Sequence, residues 1–107
     1  MADNFEDRKK SFENKFAHDA ELQFKVEARR NRLLGEWAGD LLGKSGDDRA
    51  AYAKEVVKAD FEEAGDEDVY RKVAGDLGDK ASEETIRAKM KELMVEAKRQ
   101  VMEETTS

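Results

Sequence analysis

The sequence predicts an all-α protein, a small four-helix bundle over residues 19–104. A mobile N-terminal arm covers residues 1–18 and a frayed tail residues 105–107. Three observations lead there. Apolar residues recur at helical spacing in four separate segments. The chain has no Pro, and Gly43, Gly46, Gly65 and Gly78 fall between those segments, where helices end. The connections are only a few residues long, which makes consecutive helices antiparallel neighbours.

The arm, Met1 to Lys15, sets Asp3, Glu6, Asp7 and Glu13 against Arg8, Lys9, Lys10 and Lys15 and is electrically balanced. Its apolar content is nearly all aromatic. Phe5, Phe12 and Phe16 are spaced by seven and then four residues, which puts three rings on one narrow stripe of a helix. Such a stripe buries too little to hold an isolated helix. Either the arm is loosely ordered until it meets a groove and folds there, or the stripe docks on the protein's own bundle.

The chain is organised around Phe16 to Leu42, which holds the lone Trp and the lone His. Residues 20–28 alternate apolar and polar as a strand would, but the run consists of strong helix formers with no turn residue before Gly35. Leu22, Val26, Leu33 and Trp37 lie on one helical stripe. Phe16, Ala17, Ala20, Phe24 and Ala28 form a second, and a helix apolar on two sides belongs at the centre of a bundle; the alternative is a second stripe left partly exposed. Asp19 caps a helix starting near Ala20, or the helix runs straight through from the arm. Gly35 and Gly39, four residues apart inside the pattern, mark close approach of another helix, and Gly43 ends this one.

Ser45, Gly46, Asp47 and Asp48 begin a second helix with acids in its first turn. It runs to about Ala64, with Ala53, Val56, Val57, Phe61 and Ala64 inward and Tyr52 at the border. Asp66, Glu67 and Asp68 begin a third, with Val69, Tyr70, Val73, Ala74 and Leu77 inward. Ser82, Glu83 and Glu84 begin the fourth, whose seam is Ile86, Met90, Leu93, Ala97 and Val101. From Glu103 the chain should fray.

A chain of 107 residues is one domain's worth. With 43% charged residues against 38% apolar ones, the surface is a lattice of ion pairs around an economical core. The absence of Cys removes disulfides, thiolate zinc sites and a cysteine nucleophile together. There is neither a secretory signal nor a run apolar enough to enter a membrane. A net charge of −6 argues against nucleic acid as partner. Arg29, Arg30 and Arg32, flanked by Glu27 and Glu36, read as a solvated helix face.

Catalytic chemistry is not in evidence. Gly39 to Ser45 resembles the phosphate loop GxxxxGK[ST] but has three residues between its glycines and no preceding strand. It reads as a helix end followed by a helix start, which leaves room for a weak nucleotide contact at Lys44 and Ser45. One His, His18, among scattered carboxylates specifies no metal and makes a poor pH switch. No carboxylate has the apolar setting that general acid work requires. The expectation is therefore a non-enzymatic binding or regulatory protein without cofactor or metal.

FAHDAELQFKVEARRNRLLGEWAGDLLG, Phe16 to Gly43, with YAKEVVKADFEEAGDEDVYRKV, Tyr52 to Val73, resembles the zeta subunit of alphaproteobacterial F-type ATP synthase. The resemblance implies a four-helix domain that anchors on the enzyme. It also implies a mobile N-terminal segment that inhibits ATP hydrolysis by entering a catalytic alpha/beta interface against the gamma shaft, as the mitochondrial inhibitor protein does. Phe5, Phe12 and Phe16 would anchor in apolar pockets there, and Arg8, Lys9, Lys10 and Lys15 would pair with carboxylates of the enzyme. The implied protein is a monomer when free, cytoplasmic, and peripheral to the inner membrane through the ATP synthase. With one His, inhibition should depend only shallowly on pH. Alternatives are a nucleotide-binding helical bundle and a non-inhibitory assembly factor of the same complex.

Overall fold

The computed structural model describes residues 5–60 and 65–106, with side chains at 7–60 and 65–105. These residues form five α-helices: α1 (Phe5–His18), α2 (Ala20–Leu41), α3 (Gly46–Ala59), α4 (Glu67–Leu77) and α5 (Glu83–Thr106), with a 3-10 turn at Gly78–Lys80. The expected four are α2 to α5. The fifth lies in the stretch expected to be a loose arm.

Local chemistry sets the boundaries. Asp19 is extended and its Oδ1 accepts from the Leu22 backbone N–H at 3.1 Å, so α1 and α2 are separate helices. Gly43 adopts φ +80°, which ends α2. Ser82 Oγ accepts from the Thr85 N–H at 3.1 Å and starts α5. Ser45 is extended ahead of α3 but gives no side-chain cap. The expectation that the second helix reaches Ala64 is corrected in part: α3 ends at Ala59, and Phe61 and Ala64 lie outside the described residues. Fraying from Glu103 is not seen either, since α5 continues to Thr106, with Thr105 Oγ1 donating to the Val101 carbonyl at 3.0 Å.

The core divides along α2 and α5. One cluster joins Leu34 and Ala38 of α2 to Tyr52, Val56, Val69, Val73, Leu77, Ile86 and Met90. The other joins Leu22 and Val26 to Phe12 of α1 and to Ala97, Val101 and Met102 of α5. The first is the four-helix core that the sequence predicts, with Tyr52 inside it instead of at its border. In the second, α1 takes the place of α3 and α4.

Two patterns on α2 differ from expectation. Leu33 and Trp37 are half-buried, and the fully buried line is Val26, Arg30, Leu34 and Ala38. The second stripe is not enclosed: Ala17 and Ala20 are exposed, and Phe24 is 55% exposed. Of the glycine pair, Gly35 marks the expected close approach, since a Cβ there would stand 2.6 Å from the Cα of Ala53 in α3, whereas one on Gly39 would meet Arg49 Cγ at an ordinary 3.5 Å.

Candidate functional site

α1 carries the residues that the sequence singles out, and the fold sorts them by chemistry. Phe12, 5% exposed, packs into the second core. Phe16 stacks beside it, ring centres 6.2 Å apart and planes 20° from parallel. Lys98 of α5 holds its ammonium 4.6 Å from the Phe16 ring centre, and Gln23 Nε2 donates to the Phe16 carbonyl at 2.8 Å. Arg8, Lys9, Lys10 and Lys15 all face solvent. The two rings are thus brought together and the four cations are not, while the Phe5 side chain lies outside the described residues. Docking of the stripe on the protein's own bundle is the alternative the structure shows. The seam is incomplete, with a groove of about 310 Å3 left between α1 and α5 at Lys9, Phe12, Val95 and Met102.

The sequence also singles out Lys44 and Ser45, which lie between α2 and α3. Ser45 is exposed, and the Lys44 ammonium lies 5.9 Å from the Tyr52 ring centre. Tyr52 donates to Asp76 at 2.8 Å, and Lys72 bridges Glu55 and Asp76, at 2.9 Å to each. Burial and the Asp76 carboxylate push the Tyr52 hydroxyl pKa up. Lys72 and Tyr52 overcome partial burial to hold the Asp76 carboxyl below its usual range. This network binds α3 to α4. His18 is exposed at the end of α1.

Arg30 was misread as part of a solvated face. It is 1% exposed, its Nε donates to Asn31 Oδ1 at 2.5 Å, and its Nη2 meets Asp66 at 2.9 Å. It fixes the start of α4 against the middle of α2, between the two cores. Burial, with Asp60 and Asp66 nearby, raises the Glu27 carboxyl. Burial also raises Asp60, against the pull of Asn31 and Arg30. The signal was available: Arg30 stands four residues after Val26 and four before Leu34, on the buried line. Among the described residues no group of His, Asp and Glu is placed to hold a metal, and no helix is long and apolar enough to cross a membrane.

The family model for ATPase inhibitor subunit zeta matches residues 1–100, the helix α1 included. The chain belongs to that family. A solution NMR structure is 63% identical and superposes with a TM-score of 0.73, over 78% of this chain and 98% of that one. No curated protein matches. Membership in the zeta family makes this a regulatory protein of the ATP synthase, and α1 and its cations are to be read in that setting.

Proposed function

We propose that this protein inhibits ATP hydrolysis by the F-type ATP synthase and that α1 is its effector. In this reading α1 leaves the body and enters a catalytic alpha/beta interface beside gamma. There Phe12 and Phe16, with Phe5, fill apolar pockets, while Arg8, Lys9, Lys10 and Lys15 pair with carboxylates. A helix ordered in one closed interface blocks the next rotation in the hydrolysis direction. α2 to α5 serve as the anchor.

The observation that carries the reading is the construction of α1. It is an amphipathic helix set off by the Asp19 break, and its core contribution is the Phe12 and Phe16 stack. Burial of such a ring is worth about 2–3 kcal/mol, an amount that a better-fitting groove on a partner can replace. All four described cations of the arm are already in solvent and available to a partner.

The test is ATP hydrolysis by the purified cognate ATPase with three forms of the protein: the full chain, a form starting at Asp19, and Lys9→Glu with Lys10→Glu. Because Lys9 and Lys10 are exposed, the last form keeps the body and the Phe12 seam intact. Inhibition should be lost on truncation and weakened by charge reversal. Undiminished inhibition by the truncated form would place the effect in α2 to α5 and refute the reading.

A further inference from the structure

The face of α1 that a partner would have to engage is the face that α1 gives to its own body. Beyond Phe5, the large apolar side chains of α1 are Phe12 and Phe16, on one stripe. Phe12 is closed off by Leu22 and Val26 of α2 and by Ala97, Val101 and Met102 of α5. Phe16, half-buried, is held from three directions. The Phe12 ring stacks on it, the Lys98 ammonium stands over it at 4.6 Å, and Gln23 Nε2 donates to its carbonyl at 2.8 Å. The area of contact is small all the same. α1 meets α2 and α5 in two seams, each far less extensive than that between α2 and α3. The groove of about 310 Å3 at Lys9, Phe12, Val95 and Met102 leaves dispersion contacts unmade along them. Because Asp19 caps α2 independently, α1 can be withdrawn without unwinding the helix that follows.

We propose that the docked seam is an autoinhibitory contact: one apolar stripe serves both the body and the ATPase, so α1 inhibits only while it is undocked. The proposal rests on the reading of α1 as effector and adds the regulation of that effector. A ring cannot fill two pockets at once, so each α1 is either docked or inserted. The apparent affinity for the ATPase is then the intrinsic affinity reduced by the undocked fraction. Arg8, Lys9, Lys10 and Lys15 face solvent in the docked form, so the cations can meet carboxylates of the enzyme before the rings are released. The sign of one perturbation separates this device from a merely structural seam. Loosening the seam from the body side, with α1 intact, must strengthen inhibition, whereas loosening a structural support would weaken it. Substitution of Phe12 itself has no such sign, because it removes the docked contact and the inserted one together.

The experiment titrates the purified cognate ATPase with full-length forms altered on the body side of the seam. Met102→Ala opens the Phe12 pocket, and Lys98→Gln removes the cation over Phe16 at a partly exposed position outside both cores. A third form carries Glu13→Cys with Val95→Cys, which border the same groove from α1 and α5. The chain has no Cys of its own, so a flexible bis-maleimide with a reducible spacer joins that pair alone. Single-cysteine forms treated alike are the controls. Hydrogen exchange reads the docking of α1 in each form, and far-UV circular dichroism its fold. Half-inhibition should move to lower concentration, about fivefold or more for Met102→Ala and about two- to fivefold for Lys98→Gln. Amide protection in α1 should fall in both. The linked form should not inhibit until its spacer is reduced. Unchanged or weakened inhibition by both body variants would overturn the proposal, and so would full inhibition by the linked form; with the form starting at Asp19 inactive, the effector reading would survive either result. If that truncated form inhibits as the full chain does, the effector reading falls and takes this proposal with it.

Discussion

Alanine at Gly35 and alanine at Gly39 should move stability in opposite directions. Both glycines lie inside α2, so either substitution gains about 1 kcal/mol in helix propensity. At Gly39 the new Cβ would find Arg49 Cγ at 3.5 Å as its nearest neighbour, an ordinary contact with a flexible side chain. The propensity gain is kept, and Tm should rise by roughly 4–8 °C. At Gly35 the new Cβ would lie 2.6 Å from Ala53 Cα and 3.2 Å from both Ala53 Cβ and Val56 Cγ2. Carbon atoms pack at about 3.5–4.0 Å. A Cα cannot rotate away, so α2 and α3 must part by roughly 1 Å along the helix pair that packs most extensively. Overpacking of this kind costs about 1–3 kcal/mol, and a backbone obstacle belongs at the upper end. The net loss is about 1–2 kcal/mol, or roughly 4–15 °C in Tm. Thermal melts followed by far-UV circular dichroism decide it. A Gly35→Ala protein as stable as wild type would show that close helix approach does not set the seam, and a Gly39→Ala protein less stable than wild type would refute the room described at Gly39.

Phe12→Ala should cost about 3 kcal/mol locally and abolish amide protection across α1 in hydrogen exchange while α3 and α4 keep theirs; protection retained in α1 would contradict the seam described. Arg30→Ala should lower stability by about 2–4 kcal/mol in urea, because it strands Asn31 Oδ1 in the core and removes the cation facing Asp66, and an unchanged midpoint would make the buried guanidinium dispensable. Glu27→Gln tests a sign. The folded-state pKa of Glu27 is raised, so its ionisation destabilises the fold above that pKa, and the penalty disappears as pH falls through it. The Gln variant should therefore melt above wild type at pH 7 and level with it below the ordinary Glu value of about 4.3; an equal gain at both pH values would refute this.

Helix ends were legible because they are local chemistry. Asp19, Gly43 and Ser82 each act through groups within a few residues; Gly43 and Ser82 stand at the boundaries the sequence assigns to them, and Asp19 caps α2, one of the two readings left open there. The inward faces of α4 and α5 were legible too, since a single buried stripe leaves little choice of orientation: Val69, Val73, Leu77, Ile86, Met90, Ala97 and Val101 are all buried. Arg30 failed for a specific reason. A cation on an apolar line reads as a surface residue unless its counter-charge is known, and Asp66 is 36 residues away. Docking of Phe12 was one of two readings left open, and nothing local decided between them because its pocket is completed by Val101 and Met102 near the far end of the chain. No periodicity within the arm contains that information.

The fate of the second stripe on α2 follows from lengths that the sequence nearly supplied. At 1.5 Å per residue the 22 residues of α2 span about 33 Å, whereas the 14 of α3 span about 21 Å. α3 leaves the C-terminal end of α2 through a short turn and runs back antiparallel, so it reaches only to about residue 28. Ala28 and Val57 meet there. The first two turns of α2, Phe24 among them, extend past that limit on the α3 side, while α1 and α5 take the other side. A second helix running to Ala64, as the sequence predicts, would have reached further along this stripe and argued for its burial. Ending at Ala59, it leaves Ala28 half-buried and Phe24 55% exposed. How far the stripe is covered is a matter of helix length as well as residue type, and the length of a neighbouring helix is not contained in the periodicity of α2.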